Sequence, residues 1–422
     1  MKNRVAVLCL LAAGAISSVS AQEGSIPKGV PHLDHVFVIM MENHAYDQVI
    51  GNPNMPFTNK YANEVNSARN YFAVGHPSLT NYLEVVGGSN FGIRDDNSPD
   101  WHSSDCTPNI IGVTVSLEST STAICPIYGI GTDAATPAID YSNETSGPPG
   151  DIDIDGVLGY AANPKTVGET IADELVAAGM TWKSYQESLP PTGADQVNLA
   201  DGLISNLTDI PTFLPGSGLT NSSLIGLYAV KHNPFAYFQS VQEGTDAELS
   251  LERMAGFQGN GGLFADLASD HLPSYSFVVP NQCHDQHGRG NAGPECEYDP
   301  NDNGTLVGLN PALMFEGDLE IQTLVTAIHQ SDVWQRGRTA IVIVWDENDY
   351  SVSPTTNQVL LTVDTNYGPK SLRSKNFYTH FSLLKSIEAG FGLPCLNHAC
   401  DSSTKVMSDL FADDRRGGDD WQ

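Results

Sequence analysis

Basic residues are scarce in this chain of 422 residues: 20 lysines and arginines stand against 50 aspartates and glutamates, a formal net charge of −30. A surface so acidic repels nucleic-acid phosphates and anionic lipid headgroups, and neither is expected as a docking partner. Long apolar runs are also missing. After Val5 to Ala15 no stretch is long enough to cross a bilayer, so no stable membrane insertion is expected. There is no Cys-x-x-Cys pair, which removes the usual spacing of a zinc–thiolate site. No internal repeat is visible.

What is present at the amino terminus reads as a secretory leader over residues 1–21. Lys2 and Arg4 precede the apolar run, and Val19-Ser20-Ala21 offers small residues for cleavage. A secreted or periplasmic location follows as an expectation, with one domain over residues 30–410 and a flexible tail over 411–422. Apart from Cys9 in the leader there are six cysteines, an even set that suits an oxidising compartment. Pairing of nearest neighbours is expected: Cys106–Cys125, Cys283–Cys296 and Cys395–Cys400.

Three apolar runs carry the functional signal. Thr339 to Val344 is rich in β-branched residues and ends in Trp345-Asp346-Glu347. Val36 to Met41 ends in Glu42-Asn43-His44, with Asp47 and Gly51 following. Tyr275 to Val279 ends in Pro280-Asn281, followed by Asp285 and His287. Such runs read as strands buried on both faces of a parallel sheet, and open α/β sheets place ligands at the carboxyl ends of their strands. Adjacent carboxylates repel unless a cation or proton separates them, so Asp346 and Glu347 point to a metal.

Helices alternate with these runs. Thr166 to Glu169 reads as a capping box, followed by a helix to Ala178 that stops at Gly179, and then a strand over Thr181 to Gln186. Asp318 to Trp334 and His380 to Ala389 read as two further helices. The fold class predicted is α/β, a mostly parallel central sheet with helices on both faces. Long Gly-, Pro- and Ser-rich loop insertions are expected over 97–165, 187–225 and 284–312.

Gly75-His76-Pro77-Ser78 reads as a turn that opens a short helix. Unpaired N–H groups at a helix start favour an anion, either a serine alkoxide or a phosphoryl oxygen. Ser78 therefore reads either as a helix cap or as a nucleophile, and local sequence does not separate the two.

Six ordered stretches together resemble the phosphoesterase family of secreted acid phosphatases and bacterial phospholipases C, within the alkaline phosphatase superfamily. They are Glu42-Asn43-His44 with Asp47 and Gly51; His76-Pro77-Ser78 with Asn81-Tyr82; Lys231 to Phe238; Pro280-Asn281 with Asp285 and His287; Trp345-Asp346-Glu347; and Thr379 to Glu388. The resemblance implies an alkaline-phosphatase-like fold and a hydrolase of phosphoric esters. Its substrates would be small phosphate esters or phospholipid headgroups.

Carried over by residue, the resemblance makes Ser78 the nucleophile. It makes Glu42, Asn43, Ser78, Asp285, Asp346 and Glu347 the metal set, and His76, Asn81 and His287 catalytic helpers; Asp285 and His287 also read as a second cluster, for another metal or for leaving-group work. Asn43, Asn81, Lys231 and His232 would bind substrate. Carboxylates alone suit Mg, Ca or Mn, and histidine admits Zn or Fe, so the divalent metal is left open. Two alternatives stand beside this reading: a diester-cleaving phospholipase C or phosphodiesterase, and a non-catalytic, metal-stabilised cell-surface binding protein. A sulfatase-type hydrolase is set aside because no Cys-x-Pro-x-Arg motif is present. Oligomeric state is left open by the sequence.

Overall fold

The computed structural model describes residues 24–91, 168–190, 227–269, 271–290, 292–301, 305–348 and 357–413, with a few residues between them. The leader expected over 1–21, the Cys106–Cys125 pair and most of the loops over 97–165 and 187–225 lie outside the described residues.

An eight-stranded sheet forms the centre. Its strands are β1 (His35–Met41), β2 (Asn66–Ala68), β4 (Trp182–Gln186), β5 (Met254–Ala255), β6 (Tyr275–Val279), β7 (Thr339–Trp345), β8 (Leu361–Thr365) and β9 (Arg373–Ser374). The spatial order is β9-β2-β8-β7-β1-β6-β4-β5. Among these strands β8 alone runs against its neighbours β7 and β2; every other pairing is parallel. A separate parallel pair joins β3 (Tyr71–Phe72) to β10 (Tyr378–Thr379).

The three runs singled out in the sequence are the middle of this sheet. Val38 of β1 lies opposite Phe277 of β6 and Val342 of β7. Every residue of β6, β7 and β8, and all of β1 after His35, is buried. Strands with no exposed side chain on either face require cover on both, and helices supply it.

The principal helices are α1 (Pro56–Glu64), α2 (Ser78–Gly87), α3 (Ile171–Ala177), α4 (Pro311–Gln330) and α5 (His380–Phe391). They pack as pairs, α1 with α4 and α2 with α5. Gly390 lets α5 approach the amino-terminal segment: a Cβ there would press on Leu33 and sit 3.3 Å from Val30.

Several boundaries differ from the sequence reading. The cap of α3 is Thr170, whose hydroxyl accepts the Ala172 N–H while Asp173 accepts the Thr170 N–H. The box predicted at Thr166 to Glu169 is therefore displaced one turn. Gly179 does close the helix, with φ of 74° and bonds from Gly179 N to Val176 O and Met180 N to Leu175 O. The helix predicted from Asp318 to Trp334 begins at Pro311, capped by Asn310, and ends at Gln330; Ser331 then caps a separate turn, Asp332–Arg336. Helix α5 runs two residues past Ala389 to Phe391 and stops at Gly392, with φ of 70°.

Cys283–Cys296 and Cys395–Cys400 are bonded, as nearest-neighbour pairing predicted. Of the tail expected over 411–422, the first three residues are seated together with Asp409 and Leu410, and those past Asp413 lie outside the described residues. Tyr378 and Ser374 donate to Asp409, Leu410 and Phe411 are buried, and Asp413 pairs with Arg338. The two apolar side chains close the core and the acids find partners, which the run of charges beyond them conceals. Among the described residues no helix is long and apolar enough to cross a membrane.

Candidate active site

Because β1, β6 and β7 are parallel neighbours, the residues after each of them emerge at one edge of the sheet. Two backbone bonds extend the pairing beyond the strands: Asp346 N donates to Met41 O at 2.9 Å, and Glu42 N donates to Asp285 O at 2.8 Å. Three loops are thereby held in register, each bearing a carboxylate. Ser78 comes from outside the sheet as the first residue of α2, with Pro77 as N-cap.

Around Ser78 the groups are acidic. Its hydroxyl bonds to Glu42 Oε2 at 3.1 Å and to Glu347 Oε1 at 3.3 Å. It has one hydrogen and can donate to one of them at a time. The other oxygen of Glu347 accepts from the Asn81 amide at 3.0 Å and lies 2.9 Å from His76 Nδ1. Asp346 is wholly buried, and among the described residues neither of its oxygens has a hydrogen-bond partner, although the nearby Ser78 hydroxyl favours its charge.

Glu42 joins this group to a second one. Its Oε1 lies 3.0 Å from His232 Nε2, and His232 Nδ1 lies 3.1 Å from Asp285 Oδ2. Asp285 Oδ1 accepts the His287 N–H at 2.7 Å. Gly288 O can only accept, so His287 Nδ1 donates to it at 2.9 Å, leaving the Nε2 lone pair to accept from Lys231 Nζ at 3.2 Å. Tyr82 stacks on the His232 ring with centroids 5.3 Å apart.

Four buried carboxylates (Glu42, Asp285, Asp346 and Glu347) thus share a space with one lysine and three histidines. Burial, reinforced by the other acids, holds Asp285 and Asp346 well above the usual carboxylate range. Burial also raises Glu42, against the pull of His287 and Lys231. It pushes Glu347 to about 7, against the pull of His76. An acid cluster with orphaned oxygens and this appetite for protons is one that a cation would relieve. Glu42, His232 and His287 each offer an atom within 4.8 Å of the others, a spacing one ion can span. His232 Nδ1 turned toward Asp285 is the arrangement that leaves a metal-binding Nε2 available.

The structure therefore gathers Glu42, His76, Ser78, Asn81, Lys231, His232, Asp285, His287, Asp346 and Glu347 at one place. Their parts differ in detail from the sequence reading. The set with metal-ligand spacing contains His232, read there as substrate-binding, and His287, read there as a catalytic helper or a ligand of a second metal. Asp285, read as a ligand, backs His232. Asn81, read as facing substrate, spends its amide within the protein: Oδ1 accepts from Val74 N and Gly75 N, and Nδ2 donates to Gly75 O and Glu347. Asn43 is half-buried beside Glu42, and among the described residues no side-chain hydrogen bond ties it to the cluster.

Sequence reasoning passed over Asp96, which accepts from Leu79 N at 3.1 Å and from Lys231 Nζ at 3.1 Å and helps raise Glu42 and Glu347. It sits at the edge of a loop with no periodicity to mark it. His44 and His380 support the site from behind. His44 Nδ1 donates to Glu42 O at 3.0 Å, with Nε2 on Asp299 at 2.9 Å. His380 Nε2 donates to Asp346 O at 2.6 Å while Nδ1 accepts from Tyr71, and burial pushes its pKa down to about 4, so it is neutral.

Fold and site together define an α/β protein with a hydroxyl, acids and imidazoles gathered at the carboxyl edge of its sheet. The particular family follows from comparison: the Phosphoesterase family model matches residues 52–296, more than half of the chain, and the chain belongs to that family. An acid phosphatase of Aspergillus fumigatus is 23% identical over 361 residues, covering 85% of this chain and 55% of that one. A probable acid phosphatase of Kluyveromyces lactis is 21% identical, covering 85% and 58%. The chain thus spans little more than half the length of these fungal relatives. A phosphatidylinositol-3-phosphatase of Mycobacterium tuberculosis is 22% identical over 414 residues, covering 97% of this chain and 94% of that one. Among solved structures, a protein in the alkaline phosphatase superfamily from Vibrio parahaemolyticus aligns with a TM-score of 0.41 at 12% identity, over 88% of this chain and 69% of that one.

Proposed function

We propose that this chain is an exported, metal-dependent hydrolase of phosphate monoesters, of the acid-phosphatase kind, with Ser78 as nucleophile and a phosphoserine between its two half-reactions. One observation carries the reading: the buried Ser78 hydroxyl, at the first turn of α2, is bonded to Glu42 and Glu347 in a pocket with more carboxylates than cations. Export rests on the leader-like residues 1–21 and fits the disulfides.

The residues that would hold a metal are Ser78, Asp346 and Glu347 on one side of Glu42 and His232 and His287 on the other. A divalent cation bound there would lower the pKa of the Ser78 hydroxyl and offset phosphate charge. The mixed oxygen and nitrogen set suits Zn, Mn or Fe as well as Mg or Ca.

The remaining steps belong to the chain itself. A phosphoryl group entering at the start of α2 meets backbone N–H groups, the helix dipole and the Lys231 ammonium. Glu347 or Glu42 takes the hydroxyl proton as the Ser78 oxygen attacks phosphorus in line and the bond to the leaving alkoxide breaks. Solvent protonates that alkoxide. Water then attacks the phosphoserine and gives up a proton to solvent, replacing the one spent on the alkoxide, and the carboxyl returns its own proton to Ser78 as the serine leaves. Asn81 and His76 hold Glu347 in place through both halves.

The Mycobacterium tuberculosis relative, matched nearly end to end, favours a second reading of the substrate: a phosphoinositide monoester in place of a small soluble ester. The test is turnover of an aryl phosphate monoester, the matching diester and phosphatidylinositol 3-phosphate by purified protein, with and without chelator, beside Ser78→Ala. Chelator-sensitive monoester turnover that the variant lacks is the expected result. Preference for the diester would move the chain to the phosphodiesterases, and silence on all three across several added metals would contradict catalysis.

A further inference from the structure

Beyond the four grouped carboxylates, a fifth reaches the site from another direction. Asp96 places Oδ1 on the Leu79 N–H and Oδ2 on the Lys231 ammonium, each at 3.1 Å. Leu79 follows Ser78, so its N–H belongs to the first turn of α2, where the helix favours an anion. Lys231 is buried and also donates to His287 Nε2, which ties it to Glu42 and His232. One carboxylate therefore spans a backbone donor beside the hydroxyl and a cation across from it. A role as a remote helix cap accounts for the bond to Leu79 and leaves the bond to Lys231 unexplained.

We propose that Asp96 is a placeholder for the phosphoryl group: it occupies the two donors that non-bridging phosphate oxygens take, and it must give them up when substrate binds. Both anions are charge-assisted acceptors for the same N–H groups, so they compete. Competition of this kind weakens substrate and product alike, and it speeds the departure of inorganic phosphate. The kinetic half of the inference rests on the phosphatase reading above; the binding half does not require turnover.

The test is titration calorimetry with inorganic phosphate on the full chain, comparing wild type, Asp96→Asn and Asp96→Ala, each also carrying Lys231→Met. Removing the competing charge is expected to tighten phosphate binding about tenfold or more in both Asp96 variants, the scale of one charged hydrogen bond. Lys231→Met should abolish the gain. In turnover assays KM and the inhibition constant for phosphate should fall together. Equal or weaker binding by Asp96→Asn overturns the proposal, as does a gain that survives Lys231→Met, or no phosphate binding by any variant. A lowered melting temperature with unchanged affinity would reduce Asp96 to a cap. Tight binding by Asp96→Asn without turnover by wild type would keep the placeholder while removing the phosphatase reading.

Discussion

Glu42 divides its two oxygens between Ser78 and His232, and so couples the two halves of the site within one side chain. Crowding of this kind has a measurable consequence in metal-free protein. Glu347 holds its proton in the folded state up to about 7, against an ordinary value of 4.5, chiefly because burial penalises its charge. A raised carboxyl pKa stabilises the fold below the unfolded value, and that stability is lost as pH rises through the folded value. Chelator-stripped protein should therefore melt at a lower temperature near pH 8 than near pH 5, Glu347→Gln should flatten the difference, and added divalent cation should restore the upper range. A melting temperature that rises across that window would contradict the crowding. At this scale Ser78, Glu42, Asp346 and Glu347 were legible because each stands where an apolar run or a turn stops. The second role of His232, its Nδ1 on Asp285, was not legible, since only the folded chain brings positions 42, 232 and 285 together.

Among the elements, α4 reaches the site without contributing a ligand. Gly317 faces Gln286, whose amide donates to Met314 O at 2.9 Å and accepts the Trp345 indole N–H at 3.1 Å. Gln286 lies between Asp285 and His287, so α4 braces the loop that carries both. In an open helix Gly→Ala stabilises by roughly 0.5–1 kcal/mol. Here the added methyl would collide with the Gln286 side chain, and overpacking of that kind costs roughly 1–3 kcal/mol. Gly317→Ala should lower the melting temperature and weaken divalent-metal binding together; a gain in stability would show that the packing is looser than described. The central strands and the existence of α3, α4 and α5 were readable from apolar runs and caps. Helix ends were less so: Pro311 and Asn310 open α4 a full two turns before Asp318, because a proline at the first turn starts a helix as readily as it ends one. The antiparallel course of β8 leaves no trace in its composition and follows from how the chain returns along β7.

For the whole molecule, one sheet edge collects nearly everything the sequence marked as chemistry, and a net charge of −30 surrounds it. Self-repulsion on that scale strains the compact state, and salt screens it, shortening the Debye length from about 30 Å at 0.01 M to about 8 Å at 0.15 M. The melting temperature should rise over that range with a non-coordinating salt; a fall would mean that favourable ion pairs outweigh the excess of acids. The buried cluster at the sheet edge is shielded from such screening, and on the reading proposed above a bound cation would offset it. The most direct test of the account is peptide mass spectrometry on protein quenched in acid during turnover of a phosphate monoester. The account predicts one added phosphoryl mass on the peptide containing Ser78, absent from Ser78→Ala and from chelator-treated protein. Full turnover with Ser78 unmodified at every quench time, or undiminished in Ser78→Ala, would contradict it.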